Sequence, residues 1–215
     1  MTSHQQTGRV LWSAMTSAVP GFETPGAGLE APFEMLSACH ERVERMLALL
    51  AKLQRHLRHT GCDEAACLAA HDVMRYFDLA APLHHQDEEL HVFPILMASA
   101  DPTLPSLVER LLQDHRAMEA AWPAARQVLQ QVAEGPPGPS GPAALPAAST
   151  AQLAAFAGLY PAHMQAEDEQ AYPAAQQALS AQAQQAMSAD MMQRRGVPPA
   201  ALSARPRGAC GKMGA

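Results

Sequence analysis

The chain has 215 residues, room for one domain with tails. Hydrophobic residues make up 48% and aromatic residues only 5%; this is poor in the side chains that strands favour, while the alanine and leucine content points to an all-α fold. A formal net charge of -6 supplies no basic field for phosphates, so nucleic acid and acidic membrane surfaces are excluded as expected partners.

Residues 1–30 mix Gly, Ser, Thr and Pro without periodicity and read as a loosely ordered N-terminal tail. The segment Val10 to Met15 is too short and too polar for a signal core. A first helix is expected over 31–59, with Pro32 at its first turn. Phe33, Leu36, His40, Val43, Leu47 and Leu50 follow at steps of three and four, which defines one buried stripe.

The second segment, 63–99, carries the stripe Val73, Phe77, Ala80, His84, Glu88, His91 and Ile95, with Pro82 expected to bend it. The third, 103–134, runs Leu104, Val108, Leu111, His115, Met118, Trp122, Ala125 and Leu129. GPPGPSGPAALP then places five prolines and three glycines in a connection over 135–148. The fourth, 149–180, runs Leu153, Phe156, Tyr160, His163, Glu167, Ala171, Ala174 and Ala178. Residues 196–215 read as a flexible C-terminal tail. The short turns His59–Cys62 and Ser99–Thr103 make neighbours antiparallel, so an up-down-up-down four-helix bundle over 31–195 is the expected architecture.

Cys39, Cys62, Cys67 and Cys210 form no CxxC pair and no disulfide scaffold. They read as ordinary thiols in a reducing compartment, and the expected location is the cytoplasm. Cys39 is expected to point away from the seam. His56, His59 and His71 belong to solvated faces, and Arg194 with Arg195 complements a helix dipole.

Every helix places a histidine on its apolar seam, and each is followed four residues later by glutamate: His40 and Glu44, His84 and Glu88, His115 and Glu119, His163 and Glu167. Residues at i and i+4 share a face. One seam histidine is ordinarily a hydrogen-bonded core residue, but several imidazoles and carboxylates inside a bundle require a compensating charge. A bound metal supplies it. The donors are nitrogen and oxygen with no thiolate cluster, which suits a pair of octahedral ions better than one tetrahedral zinc. Iron is expected, with manganese next. Ferritin-like sites use Glu-x-x-His, whereas the order here is His-x-x-x-Glu.

HHQDEELHVFPIL at 84–96 and HMQAEDEQAYPAA at 163–175 resemble the two motifs of the hemerythrin-like family, the HHE cation-binding domain. In both, a proline stands six residues after the glutamate, Pro94 after Glu88 and Pro173 after Glu167; that register selects the pair His84 and Glu88 over His85 and Glu89. The resemblance implies a four-helix bundle holding two iron ions (Fe2+/Fe3+) bridged by an oxo or hydroxo group. It implies His40, His84, His115 and His163 as imidazole ligands and Glu88 and Glu167 as bridging carboxylates. The oxygen carriers of that family have a second histidine where Glu119 stands here, which leaves the further terminal ligand open among Glu119, His85 and Glu44.

Three function classes follow: a module binding or sensing dioxygen, nitric oxide or peroxide; a diiron enzyme of stress protection that reduces peroxide or nitric oxide or handles iron; and a metal-stabilised bundle that recruits a partner. No feature names a protein partner.

Overall fold

A computed structural model describes residues 31–135 and 145–197. The 1–30 tail, most of the 135–148 connection and nearly all of the 196–215 tail lie outside the described residues. The described chain is helical, with no strand among the described residues.

α1 (Pro32–His59) opens on the proline the sequence places there. It closes where the Thr60 amide bonds the His56 carbonyl at 2.8 Å, after which Gly61 takes a φ of 89°, a left-handed position that glycine enters without penalty. α2 (Glu64–Asp87) starts from Asp63, whose carboxylate accepts the Ala66 amide at 2.9 Å. It runs through Pro82 into a π-helical turn (Glu88–Val92) and α3 (Phe93–Met97). α4 (Thr103–Ala133) follows. Beyond the proline-rich connection come α5 (Ala147–Gly158), α6 (Tyr160–Ala166), a second π-helical turn (Glu167–Ala171) and α7 (Tyr172–Ala178).

The two π turns share a cause. Pro94 and Pro173 have no amide to offer the carbonyl four residues back, and their rings crowd it. The chain widens instead: the Phe93 amide bonds the Glu88 carbonyl and the Tyr172 amide bonds the Glu167 carbonyl, each five residues back. The extra residue moves the buried stripe on by one. The α-helical spacing predicts His91 and Ile95 on the seam, and the structure buries Val92 and Leu96 instead. It predicts Ala174 and Ala178, and the structure buries Ala175 and exposes Ala178. The same shift turns Tyr172 inward.

Buried apolar residues form two clusters. One joins Val43 to Leu57 of α1, Ala66 to Ala81 of α2, Met118 to Val132 of α4 and Leu153 to Tyr160 of α5 and α6. Its centre is aromatic, with Phe77 edge-on to Phe156 at 5.0 Å between ring centroids. The other joins Phe33 to Leu36, Val92 to Leu96, Leu107 to Leu111 and Ala171 to Ala175. Between the two, on every one of these helices, stands a seam histidine.

α8 (Ala181–Arg194) lies outside the four expected segments. Ser180 caps it by accepting the Ala183 amide at 3.2 Å, and Met187, Met191 and Met192 join the second cluster. The expectation for Arg194 and Arg195 is corrected here. Both reach back to the fully buried Asp87 of α2: Arg194 Nη2 lies 2.6 Å from Asp87 Oδ1, and Arg195 Nη2 donates to Asp87 Oδ2. A buried carboxylate needs such partners far more than a helix end does. Cys39, expected to point away from the seam, is buried and belongs to neither apolar cluster.

Candidate metal centre

The layer between the two apolar clusters contains His40, His84, His85, Glu88, His115, His163 and Glu167, all buried, with both glutamates at 0% exposure. Their donor atoms fall into two groups. Those of His40, His84, Glu88 and Glu167 lie within 4.8 Å of one another, and so do those of His85, His115 and His163.

The carboxylates span the groups. Glu167 turns Oε2 to His40 Nε2 at 3.2 Å and Oε1 to His163 Nε2 at 3.1 Å and His115 Nε2 at 3.7 Å. Glu88 turns Oε1 to His84 Nε2 at 3.3 Å and Oε2 to His115 Nε2 at 3.4 Å. Each carboxylate thus presents one oxygen to each group.

Acidic residues behind the imidazoles fix their orientation. His40 Nδ1 donates to Asp168 Oδ2 at 3.0 Å, and His115 Nδ1 donates to Glu89 Oε1 at 2.8 Å. His163 Nδ1 lies 3.4 Å from Asp114 Oδ2. Each bond occupies the outer ring nitrogen and leaves Nε2 directed inward. Glu89 and Asp168 each follow the glutamate of their motif, so the two motifs are arranged alike, each supporting the histidine of a different neighbouring helix.

Two positions break the likeness. His85 stands where the second motif has Met164, and Tyr172 stands where the first has Phe93. His85 stacks on His115, with centroids 3.9 Å apart. Tyr172 stacks on His40, its hydroxyl 3.0 Å from His40 Nε2 and donating to Glu88 Oε1. The two donor groups are therefore chemically different: three imidazoles in one, and two imidazoles beside a phenol in the other.

The charge state bears on what the layer can hold. Burial pushes His84 and His85 well below the ordinary imidazole range, which keeps them neutral. Burial acts the same way on His40 and His115, but the carboxylates of Asp168 and Glu167 facing the first, and of Glu167, Glu88 and Glu89 facing the second, favour the protonated rings and hold both at about 10. Burial and the neighbouring Glu167 charge raise Glu88 to about 7, whereas three imidazole contacts outweigh burial and keep Glu167 ionised. Even so, His115 Nε2, His163 Nε2, Glu88 Oε2 and both carboxylate oxygens of Glu167 are buried without a hydrogen-bond partner. Such orphaned atoms are costly, and they converge on common points. Cations placed there satisfy them, so the residues present fit a metal centre. The protons held by His40 and His115 are those that a cation displaces.

The remaining sequence candidates lie elsewhere. Glu44 and Glu119 are exposed and join neither group. The buried stripe steps three residues on, from His40 to Val43 and from His115 to Met118, so the fourth residue, Glu44 or Glu119, falls on the solvent side of its helix. Glu119 does line a cavity of about 50 Å³ that reaches His85 between Phe77, Met118, Trp122, Phe156 and Tyr160. His59 and His71 are exposed, and His56 bonds Asp63 at 2.9 Å. Sequence reasoning missed Glu89, Asp114, Asp168 and Tyr172. The acidic residue directly after each motif glutamate was the available signal for two of them.

Asp168→Ala and Glu89→Ala are expected to weaken metal binding about 10- to 100-fold each, by freeing the ring they orient. Metal competition titration reads this, with circular dichroism showing unchanged helix content.

Comparison with known proteins matches residues 31–175 to the family described as Hemerythrin HHE cation binding domain, which ends short of α8. An uncharacterized protein of Haemophilus influenzae is 37% identical over 101 residues, or 47% of this chain; the chain spans 58% of that relative's length.

Proposed function

Since the chain belongs to the hemerythrin HHE cation-binding family, we propose that it is a non-haem diiron protein that binds or senses dioxygen or nitric oxide inside an up-down-up-down antiparallel four-helix bundle. The alternation supports the topology: α1 and α4 pass from the Phe33 cluster to the Phe77 cluster, and the second and fourth rods pass the other way. His40 and His84 would hold one iron and His85, His115 and His163 the other, and Glu88 and Glu167 could serve both groups. His85 thereby takes the place that the sequence left open among His85, Glu44 and Glu119.

The observation that carries the reading is the pair of glutamates that each turn one oxygen to either imidazole group. Two adjacent irons supply one-electron steps and a coordination position for a small ligand. The protein's own residues supply the rest. His85 opens onto the cavity of about 50 Å³, sized for about one small molecule. Its aromatic and thioether walls suit an apolar diatomic. Asp168, Glu89 and Asp114 hold the rings, and the two apolar clusters flank the layer on either side.

A second reading, reduction of peroxide or nitric oxide in stress protection, is favoured by Tyr172. Its hydroxyl lies between His40 and Glu88, so a proton can be held and passed within the layer.

Metal analysis of protein purified without air is expected to give about two irons per chain, as the donor set implies, with a reversible change in the optical spectrum on adding dioxygen or nitric oxide. One zinc per chain after growth with ample iron overturns the diiron reading; manganese in place of iron corrects only the metal. Catalytic consumption of peroxide selects the enzyme.

A further inference from the structure

At the far end of the Phe77 cluster, roughly 25 Å along α2 from His84 at the usual helical rise, Cys62 and Cys67 bring their sulfurs to 4.0 Å. Their positions explain the approach. Asp63 caps α2, so Cys62 immediately precedes the cap and Cys67 is the fourth helical residue, the two places whose side chains meet across a helix start. Cys62 is buried and Cys67 is half-exposed.

Both thiols donate to one acceptor, the carbonyl of Val132, at 3.3 and 3.5 Å. Val132 stands in the last turn of α4. Its α-helical partner would be the amide of residue 136, which is proline and has none. Two cysteines at the start of α2, one just before its cap and one in its first turns, thus satisfy a carbonyl that the α4 sequence leaves open. Gly135 lies beside the pair: a Cβ added there would stand 3.6 Å from Cys62 Sγ, in ordinary contact.

We propose that Cys62 and Cys67 form a redox-responsive pair that closes to a disulfide when a peroxide reaches Cys67, releasing the end of α4. The half-exposed Cys67 thiolate attacks one peroxide oxygen, breaking the O–O bond and giving a sulfenic acid and hydroxide. The Cys62 sulfur then displaces that hydroxyl and forms the S–S bond. In sum, two thiols and one hydrogen peroxide give one disulfide and two waters, the thiols losing two electrons and the peroxide gaining them. Burial and the adjacent Cys67 disfavour a free Cys62 thiolate, which fits Cys62 as the resolving member. Closure consumes both S–H donors, so the Val132 carbonyl loses both bonds together.

The test treats the full metal-loaded chain with hydrogen peroxide, follows free thiols and digests with trypsin. Cys62 and Cys67 fall in one peptide, residues 59–75. Expected are the loss of two of the four thiols and a 59–75 peptide lighter by two hydrogens. Cys62→Ser and Cys67→Ser abolish that product, while Cys39→Ser and Cys210→Ser retain it. Amide exchange at Glu134, whose N–H bonds the Gln130 carbonyl, is expected to quicken about fivefold on oxidation, the equivalent of one net hydrogen bond. A 59–75 peptide that keeps both thiols, or gains oxygen without closing, overturns the proposal. Closure with unchanged exchange at Glu134 overturns the coupling to α4.

Discussion

Glu167→Ala is expected to strip the protein of bound metal, lowering affinity by more than about a hundredfold, beyond the usual effect of residues that only support a ligand. The reason is position. Glu167 alone faces His40, His115 and His163, so its removal takes an anionic donor from both imidazole groups together. It also removes a carboxylate that offsets the burial of His40 and His115, which disfavours the assembled site. Glu44→Ala and Glu119→Ala, the two other seam-spaced candidates, are expected to keep metal content unchanged because both side chains are exposed. Metal-to-protein ratios of the three variants, measured after identical purification, decide the matter. Equal losses in Glu119→Ala and Glu167→Ala would place the turn of α4 that follows His115 in the centre.

The largest stability effect is expected away from any seam pair, at Asp87. Its carboxylate is fully buried and receives Arg194 and Arg195 from α8. Burial pushes the carboxyl above its ordinary range, and the guanidiniums only partly offset it. Removing one member of such a buried group costs about 3–5 kcal/mol. Asp87→Ala is therefore expected to lower the urea midpoint sharply and detach α8, with Met187 and Met191 losing their cover. A combined Asp87→Leu, Arg195→Met chain is expected to recover much of the loss, since apolar replacement of the whole pair removes the desolvation cost as well. Equal midpoints for Asp87→Ala and the natural chain would show that α8 is held by its methionines alone.

Several parts of this architecture were open to reading from residues. Spacing of three and four located the seams of α1 and α4, and the shared glutamate-to-proline interval pointed to His84, Glu88, His163 and Glu167, which the structure gathers into one layer. The failures have physical causes. A pattern search at constant period passes straight through Pro94 and Pro173, so it cannot know that each proline adds a residue to the turn before it. That single residue separates the expected His91 and Ile95 from the buried Val92 and Leu96, and it conceals Tyr172. Glu44 and Glu119 satisfied the i, i+4 rule equally well, but i and i+4 differ by about 40° around a helix, and on α1 and α4 the buried stripe passes through Val43 and Met118 and leaves both glutamates exposed. Asp87 and Arg195 are 108 residues apart, and nothing local announces their pairing. The cysteines were dismissed for lacking a CxxC spacing, although the contact across a helix cap needs a different interval.

The placement of the polar layer between two apolar clusters has a consequence for assembly. In a small zinc-nucleated domain the ligands come together only as the ion arrives, and the binding energy is spent on organising the chain. Here Phe33, Leu36, Val108 and Leu111 on one side, and Phe77, Met118, Leu129 and Phe156 on the other, hold the helices on both flanks of the layer. The ordering entropy of the donors is met largely by hydrophobic burial before any cation enters. The two clusters thus predict a preassembled chelator, whose helix content, read by circular dichroism, is expected to survive removal and return of the metal.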